Sequence, residues 1–221
     1  MGDAVGYTKW ILDSYAGYMS DSVLEMGIGQ ANYINFLPVL THYMGVDIDA
    51  AVIENARKRH PNYEYIQADM DDPQWPAQLQ RSYDTVMCFN ALQYSKDEVQ
   101  AIRHMMAALR PGGHVLLLVP AMPCLMGHMD VLAGHRYRYK PEQLRRYAAQ
   151  ADAKLVRLEY FNPIGAVGWW LNNHFRHDSL EDDGLKGQIV LFDRYVVPMS
   201  RLVNPLTKRL FGQSLLCVLQ K

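Results

Sequence analysis

The sequence has few cysteines, and they are not spaced as metal ligands are. Its 221 residues include three, Cys88, Cys124 and Cys217, with no Cys-x-x-Cys pair. Cys88 and Cys217 lie in apolar, strand-like runs. This usage argues against a disulfide framework and predicts reduced thiols in a cytoplasmic protein.

Long apolar runs and an excess of one charge are also missing. No run approaches the length that spans a bilayer, and Asp3, Lys9 and Asp13 interrupt the amino-terminal region where a signal peptide would be apolar. The formal net charge is −1 at pH 7. Because this charge gives no global attraction to nucleic acid or to an anionic membrane, any such binding must be local.

A third absence concerns glycine at position 32. Residues 23–31 run from an apolar segment through Glu25 to Gly27 and Gly29, which predicts a strand, a tight turn and a helix. A dinucleotide fingerprint, Gly-x-Gly-x-x-Gly, would require a further glycine where this chain has Asn32. Since Glu25 would repel a phosphate and attract an ammonium group, the turn favours a nucleoside that carries a cationic amino acid.

A second turn follows the next apolar segment. Residues 45–49 read Gly-Val-Asp-Ile-Asp and place Asp47 at the tip of a predicted strand, where a carboxylate reaches a ribose diol. The alternative is an ordinary strand followed by a polar turn.

These two segments resemble motifs of the class I S-adenosylmethionine-dependent methyltransferases. Residues 25–29 are similar to the family's glycine-rich first motif, and residues 45–49 to its second, while Ala31 stands where the family often has a third glycine. A helix followed by Leu-Arg-Pro-Gly-Gly at residues 109–113 and an apolar strand extends the resemblance, which covers about residues 20–120. The resemblance implies S-adenosylmethionine as the cofactor.

The resemblance also implies roles for individual residues. Asp69 would meet the adenine amino group and Met70 would pack on the ring, although Asp69 also suits a turn cap in the Asp-rich stretch 69–72. The predicted cofactor-binding residues are Glu25, Gly27, Gly29, Asp47, Ile48, Asp69, Met70 and Asn90.

The residue pattern predicts a single domain over residues 1–221, with a cofactor-binding half at 1–120 and an acceptor-binding half at 121–221. Helices are predicted at 4–19, 30–37, 50–59, 97–109, 141–151 and near 188–204, with strands near 23–26, at 41–47, 63–67, 83–90, 114–119, 154–160 and 214–219. An acidic loop is expected at 181–183. The expected architecture is a Rossmann-like α/β fold, in which helices cover both faces of a seven-stranded, mostly parallel sheet with an antiparallel last strand.

The acceptor half is less generic, although its segment 134–139 resembles a bacterial branch of the family associated with glycan and secondary-metabolite pathways. Residues 122–139 follow a strand end and mix methionines with histidines, so they are predicted to form the acceptor pocket or its lid. His128 and His135 are the predicted catalytic bases, and the predicted substrate contacts are Tyr15, Gln93, Tyr94 and Met126. A competing interpretation makes residues 134–139 a structural clasp, in which Arg136 or Arg138 pairs with Asp130.

The predicted function is metal-independent methyl transfer from S-adenosylmethionine to a small-molecule acceptor, with O-methylation slightly favoured over N-methylation. The adenine loop accounts for Asp69, Asp71 and Asp72, so no metal site is predicted. Residues 90–93 read Asn-Ala-Leu-Gln rather than the Asn/Asp-Pro-Pro-Tyr/Phe common in enzymes that methylate exocyclic amines, so a nucleic acid substrate is disfavoured. The alternatives are an RNA or nucleobase methyltransferase and a non-catalytic S-adenosylmethionine-binding module, and the oligomeric state is open.

Overall fold

The computed structural model describes residues 4–173 and 190–221. The predicted acidic loop at 181–183 lies outside the described residues, as does the beginning of the helix predicted near 188.

A sheet of seven strands forms the centre of the molecule. The strands are β1 Ser22–Met26, β2 His42–Asp47, β3 Glu64–Gln67, β4 Tyr83–Phe89, β5 Leu109–Pro120, β6 Lys154–Phe161 and β7 Ser214–Gln220. Their order is β3-β2-β1-β4-β5-β7-β6, and only β7 runs antiparallel to its neighbours. This topology confirms the predicted fold class.

Helices cover both faces of the sheet. They are α1 Val5–Tyr15, α2 Ala50–Arg59, α3 Glu98–Ala107, α4 His128–Leu132, α5 Pro141–Gln150, α6 Pro163–Asn172 and α7 Val197–Thr207, and a π-helical turn at Phe192–Val196 leads into α7. One core lies beneath α1, α2 and α7, and a second lies beneath α3 and α5. Because strand side chains alternate between faces, Val86 of β4 enters one core while Met87 enters the other. A central strand covered on both sides needs the nearly continuous apolar sequence that β4 has.

The helix predicted at 30–37 is wrong. The structure has only a 3₁₀ turn, Tyr33–Asn35, in this region. Gly29 and Ala31 adopt positive φ angles of 50° and 52°, and a right-handed helix cannot pass through these left-handed residues. The glycine turn therefore continues further than its sequence suggests.

The start of the strand predicted at 114–119 is also wrong, because β5 already begins at Leu109. Leu109 pairs with Tyr83 of β4, and the pairing then shifts register before it resumes between Thr85 and His114. Gly112 and Gly113 exchange backbone hydrogen bonds with Lys221 at the end of the chain. The helix predicted to run to residue 109 already ends at Ala107, so the Pro-Gly-Gly segment lies within the sheet and does not end α3.

The amino-terminal helix α1 is held in place by hydrogen bonds to a carboxylate from the carboxyl-terminal part of the chain. Asp193 accepts hydrogen bonds from the backbone N–H groups of Gly6 and Tyr7 at 2.8 and 2.7 Å. These are N–H groups of the first turn of α1, which have no partner within the helix. Within the described ranges, no helix is both long and apolar enough to cross a membrane.

Candidate cofactor and acceptor site

The glycine turn lies at the point where the strand order reverses, between β1 and β4. Gly27 has a φ angle of 76°, and a Cβ added to it would lie 2.5 Å from the Cβ of Ala91, beyond the end of β4. Glycine is required there both by the backbone conformation and by this close approach. Gly29 also has positive φ, but a Cβ at Gly29 would meet nothing within 4 Å. The space over Gly29 is open at the position where doubly wound sheets bind ligands.

Asp47 connects the glycine turn to the end of β2. Its carboxylate accepts hydrogen bonds from the backbone N–H groups of Gly29 at 3.0 Å and Asp49 at 3.1 Å. The carboxylate retains acceptor capacity, since two oxygens offer about four lone-pair sites. The next residue, Ile48, is 62% exposed, so an unusually open apolar side chain lies beside this carboxylate.

Glu25 lies beneath the turn and is 2% exposed. Its carboxylate accepts a hydrogen bond from the Tyr43 hydroxyl at 2.6 Å. Burial raises the pKa of Glu25 to about 7, against the lowering effect of the Tyr43 hydrogen bond, and the nearby Asp47 carboxylate raises it further. A buried carboxylate with so little compensation would be stabilised by a cation placed next to it.

The loop after β3 is linked to the loop after β4. Asp69 accepts from the N–H of Asp71 at 3.0 Å, which is the turn-capping contact considered as the alternative. One oxygen of Asp69 is thereby engaged and the other has no such contact among the described residues. Asp71 in turn accepts from the Ser95 hydroxyl and the Lys96 N–H. Met70 lies against the core and its carbonyl contacts the ring of His104 at 3.0 Å.

Asn90 directly follows β4 and has a left-handed backbone conformation, with a φ angle of 51°. Its N–H donates to the Leu118 carbonyl at 2.7 Å, and its own carbonyl accepts from the Gln93 side chain at 2.8 Å. Gln93 is fully buried, and its side-chain oxygen has no partner among the described residues. Gln93 therefore holds the backbone that follows β4, and its side-chain oxygen is available for a further hydrogen bond.

Tyr15, the last residue of α1, is fully buried and is not exposed at the candidate acceptor site. Its ring stacks on Phe89, and its hydroxyl donates to the Leu117 carbonyl. Its predicted contact with the acceptor stays a prediction, and this burial does not support it.

A buried carboxylate organises the acceptor half. Asp130 accepts from His135 Nδ1 at 3.0 Å, Arg138 Nε at 2.8 Å and Trp169 Nε1 at 3.0 Å, and from the Gly127 N–H at 3.1 Å. Burial raises the pKa of Asp130, but the hydrogen bonds from His135, Arg138 and Trp169 outweigh it and keep the pKa below its usual value. The carboxylate is therefore ionised near neutral pH.

Arg138 extends this network to the end of the sheet. Its guanidinium also donates to the carbonyls of Ala121 and Gln213, at 2.9 and 3.2 Å, and lies over the Trp169 ring. The structure therefore contains the clasp that pairs Arg138 with Asp130. Sequence reasoning missed Trp169, whose contact with Asp130 spans 39 residues and has no local signal.

The other predicted acceptor residues lie around this clasp. The Tyr94 hydroxyl donates to the Ala133 carbonyl at 2.7 Å, and its ring centroid is 6.3 Å from that of His135. His128 is exposed in the first turn of α4, and Met126 is 38% exposed. Thus Tyr94 and His135 lie together, where the β4 loop meets the acceptor segment.

No group of three or more His, Cys, Asp or Glu side chains in the described part of the chain is arranged to hold a metal ion. Asp69, Asp71 and Asp72 are engaged in turn and loop contacts instead.

Comparison with known proteins finds a domain family and several relatives that parts of this chain resemble. A family model described as a methyltransferase domain matches residues 23–113. A trans-aconitate 2-methyltransferase from Paracidovorax citrulli is 31% identical over 101 residues, which are 44% of this chain and 38% of that protein. A ubiquinone/menaquinone biosynthesis C-methyltransferase from an Enterobacter species is 28% identical over 130 residues, 48% of this chain and 51% of the relative. The chain spans about half or less of the length of these relatives.

A solved S-adenosylmethionine-dependent methyltransferase from Mesorhizobium loti shares the fold throughout. The alignment covers 99% of this chain and 100% of that one, with a TM-score of 0.64 and 16% sequence identity. Residues 23–113 therefore match the methyltransferase-domain family, and the fold is shared with a solved S-adenosylmethionine-dependent methyltransferase, in agreement with the family that the motifs predicted.

Proposed function

We propose that this protein transfers a methyl group from S-adenosylmethionine to a small-molecule acceptor. The observation that carries the proposal is the open space over Gly29, which has Asp47 at its side and the buried Glu25 beneath it. Methyl transfer from a sulfonium is an in-line displacement, so the protein mainly has to align the reactants and exclude water. This space, which lies at the carboxyl ends of the central strands and is lined by Gly29, Asp47 and Glu25, is suited to that task.

Each part of the cofactor has a chemically matched group in this cradle. Glu25 supplies negative charge for the ammonium group, and Asp47 has lone pairs left for the ribose diol. Ile48 and Met70 offer apolar surface to the adenine ring, with Asp69 as acceptor for its amino group. Gly27 and Asn90 form the backbone walls on either side of the strand-order reversal.

The acceptor is assigned to the space beside residues 122–139, with His135 as the general base. Asp130 holds His135 through Nδ1, so Nε2 is the nitrogen left to take a proton. For a hydroxyl acceptor, Nε2 would take the proton from the attacking oxygen, and bound S-adenosylmethionine would supply the methyl group, with its sulfur keeping the bonding electron pair as the leaving group. Because Arg138 also pairs with Asp130, the clasp and the base belong to one network.

The names of the relatives favour a small acceptor without fixing the methylated atom. One name specifies trans-aconitate and the other specifies C-methylation in quinone biosynthesis. O-methylation is proposed ahead of N-methylation because a histidine base serves a hydroxyl acceptor. An RNA or nucleobase substrate has no matching strand-tip motif in residues 90–93, and a non-catalytic module would have no need of an oriented base.

Calorimetry with S-adenosylmethionine and an acceptor screen with its labelled methyl group test this function. Binding of S-adenosylmethionine without methyl transfer to RNA or to any compound with a hydroxyl, a carboxyl, an amine or a nucleophilic carbon would favour the non-catalytic module. Transfer to RNA alone would favour the nucleic acid alternative. Full activity after EDTA treatment is expected, and loss of activity that magnesium restores would contradict a metal-independent reaction.

A substitution at His135 separates the base from the clasp. His135→Asn keeps a side-chain N–H that can reach Asp130 but removes the basic nitrogen. Turnover should fall roughly 10²–10⁴-fold while cofactor affinity and the unfolding midpoint change little. His128→Gln tests the second predicted base, which is exposed in the first turn of α4, so the variant that loses turnover identifies the base. Normal turnover in His135→Asn would remove His135 from the reaction.

A further inference from the structure

The helix that ends in α7 exposes a row of large apolar side chains. Each is more than half exposed, and Leu202 and Leu206 reach 80% and 81%. The row consists of Leu191, Tyr195, Met199, Leu202, Leu206 and Leu210, which we call the apolar stripe. Successive members are three or four residues apart, so Met199, Leu202 and Leu206 lie on one side of α7, with Leu191 and Tyr195 ahead of them around the π-helical turn and Leu210 in the turn that follows.

The opposite side of the same helix is what attaches it to the protein. Val197 and Ser200 are buried. The Ser200 hydroxyl accepts from the Ile164 N–H at 3.1 Å and donates to Asn162 at 2.8 Å, which ties α7 to the beginning of α6. These contacts fix which side faces inward, so the apolar stripe is turned outward by the fold itself.

Helix α6, packed beside α7, adds further exposed apolar residues. Val167, Trp170 and Leu171 are each about half exposed. Large apolar patches of this kind are uncommon on proteins that work alone in water and mark interaction surfaces.

Positive charges accompany the apolar stripe. Arg194, Arg201 and Lys208 recur at seven-residue intervals along one flank, and Arg209 follows. Arg201 pairs with Asp13 and Lys208 with Glu159, while Arg194 and Arg209 have no carboxylate partner among the described residues. The only acidic residue of segment 190–211 is Asp193, which is turned toward the N–H groups that begin α1.

We propose that the apolar stripe docks this protein on an anionic lipid bilayer, with the helix lying parallel to the surface. An amphipathic helix in the interface buries its apolar face at the boundary of headgroups and acyl chains, while its cations meet anionic headgroups. Tyr195, whose ring is contacted by the Arg194 guanidinium at 5.4 Å, has the amphipathic character of interfacial aromatic residues. A second copy docked through the same helix would bring no exposed carboxylate from segment 190–211 to Arg194 and Arg209, because Asp193 is turned toward α1, whereas an anionic bilayer supplies negative charge.

Docking in this way would place the proposed acceptor site close to the bilayer. Asn173, just beyond α6, accepts from the Met129 N–H at 3.1 Å and donates to the Leu125 carbonyl at 2.9 Å. The acceptor segment is therefore attached directly to the exposed helical layer. An acceptor with an apolar tail could then be reached from the membrane; this consequence rests on the proposed function, whereas the docking does not.

Flotation with lipid vesicles tests the docking without cofactor or acceptor. The full chain should float with vesicles of phosphatidylcholine and phosphatidylglycerol, and much less with phosphatidylcholine alone or at high salt. Leu202→Glu combined with Leu206→Glu should lower the partition coefficient by more than roughly tenfold. Arg194→Gln combined with Arg209→Gln should lower it roughly fivefold per cation, and only on anionic vesicles.

Val39→Glu is the matched control, because Val39 is 95% exposed and lies outside the helical layer. It should float like the wild type, and near-ultraviolet circular dichroism should show that every variant is folded. Absence of flotation, or flotation that survives Leu202→Glu with Leu206→Glu, would overturn the proposal. A concentration-dependent dimer in sedimentation velocity that this double variant dissociates would assign the surface to a second copy instead.

Discussion

The predicted cofactor-binding half, residues 1–120, and the predicted acceptor-binding half, residues 121–221, build their candidate sites from different interactions. In the first, the candidate site is formed by backbone conformation at Gly27 and Gly29 and by Asp47 contacting nearby N–H groups. In the acceptor half, Asp130 joins side chains from a loop and from α6. Removing Asp47 should therefore affect mainly ligand binding, and removing Asp130 should affect mainly stability.

The largest expected effect is on the clasp. Asp130→Ala leaves Arg138 buried without its carboxylate, and loss of one partner of a buried ion pair costs about 3–5 kcal/mol. Urea denaturation should show this fall in the free energy of unfolding. Asp84→Ala is the control from the cofactor half, where the ion pair with Arg110 is partly exposed and contributes about 0–1 kcal/mol.

A double variant sharpens this test. Asp130→Ala combined with Arg138→Met removes the unpaired charge and should recover a large part of the lost stability. If Asp130→Ala and Asp84→Ala cost the same, the clasp is not what holds the acceptor half together.

The next effect concerns Glu25 and has opposite signs for stability and for binding. Burial raises the pKa of Glu25 from 4.5 in its ordinary state to about 7 in the folded protein. Because the folded pKa is the higher one, the folded chain binds more protons, and stability from this group is lost as pH rises from about 4.5 to about 7. At one pKa unit per 1.36 kcal/mol, this rise of about 2.5 pKa units corresponds to a loss of at most roughly 3.4 kcal/mol.

Glu25→Gln should therefore stabilise the unliganded chain at pH 8 while it weakens S-adenosylmethionine binding. The affinity of the wild type should rise with pH up to about 7, since the ionised carboxylate is the form that pairs with the ammonium group, and then fall as the ammonium group deprotonates at about 7.7–8.0. Calorimetric titrations across pH, run in parallel with thermal unfolding of both chains, check this. A wild-type affinity that does not change between pH 5 and 8 would remove Glu25 from the ammonium site.

Asp47 should show the complementary behaviour, in which binding falls and stability is nearly preserved. Charge-assisted hydrogen bonds contribute about 1.5–3 kcal/mol, so Asp47→Ala should weaken S-adenosylmethionine binding roughly 10–100-fold. Asp72→Ala is a suitable control, because Asp72 caps a nearby turn through the Gln74 N–H. Equal affinities in the two variants would exclude Asp47 from the ribose site.

Sequence reasoning was most informative in residues 20–120, where the motif signals are local even though a contact such as that of Asp47 with Gly29 spans 18 residues. Gly27, Gly29 and Asp47 fall within short segments, and the continuous apolar run of β4 follows from its position between two cores. The helix predicted at 30–37 failed because Ala31 takes a left-handed conformation that alanine rarely adopts, which no residue type announces.

The acceptor half was harder to predict because its contacts are long-range. Asp130 was foreseen as a partner of Arg138, but Trp169 reaches it across 39 residues, and Asn162 reaches Gln213 across 51. A polar residue in a sequence does not reveal whether it will be buried or by which partners it will be satisfied. The burial of Tyr15 at the end of α1 could not be predicted either, because an aromatic residue on a helix suits a core and a ligand site equally well.

The smallest expected effect compares one glycine from each half. Gly29 has a φ angle of 50° with open space around its Cβ position, whereas Gly168 lies within α6, also with nothing within 4 Å of that position. Gly29→Ala should destabilise the chain by about 1–2 kcal/mol, because an L-residue is strained in the left-handed region. Gly168→Ala should stabilise it by about 0.8–1 kcal/mol, because alanine is the better helix former and meets no neighbour. Only Gly29→Ala should also weaken S-adenosylmethionine binding, so thermal unfolding and calorimetry on both variants separate backbone strain at the site from helix propensity away from it. Unchanged stability of Gly29→Ala would contradict the requirement for glycine in the left-handed conformation of this turn.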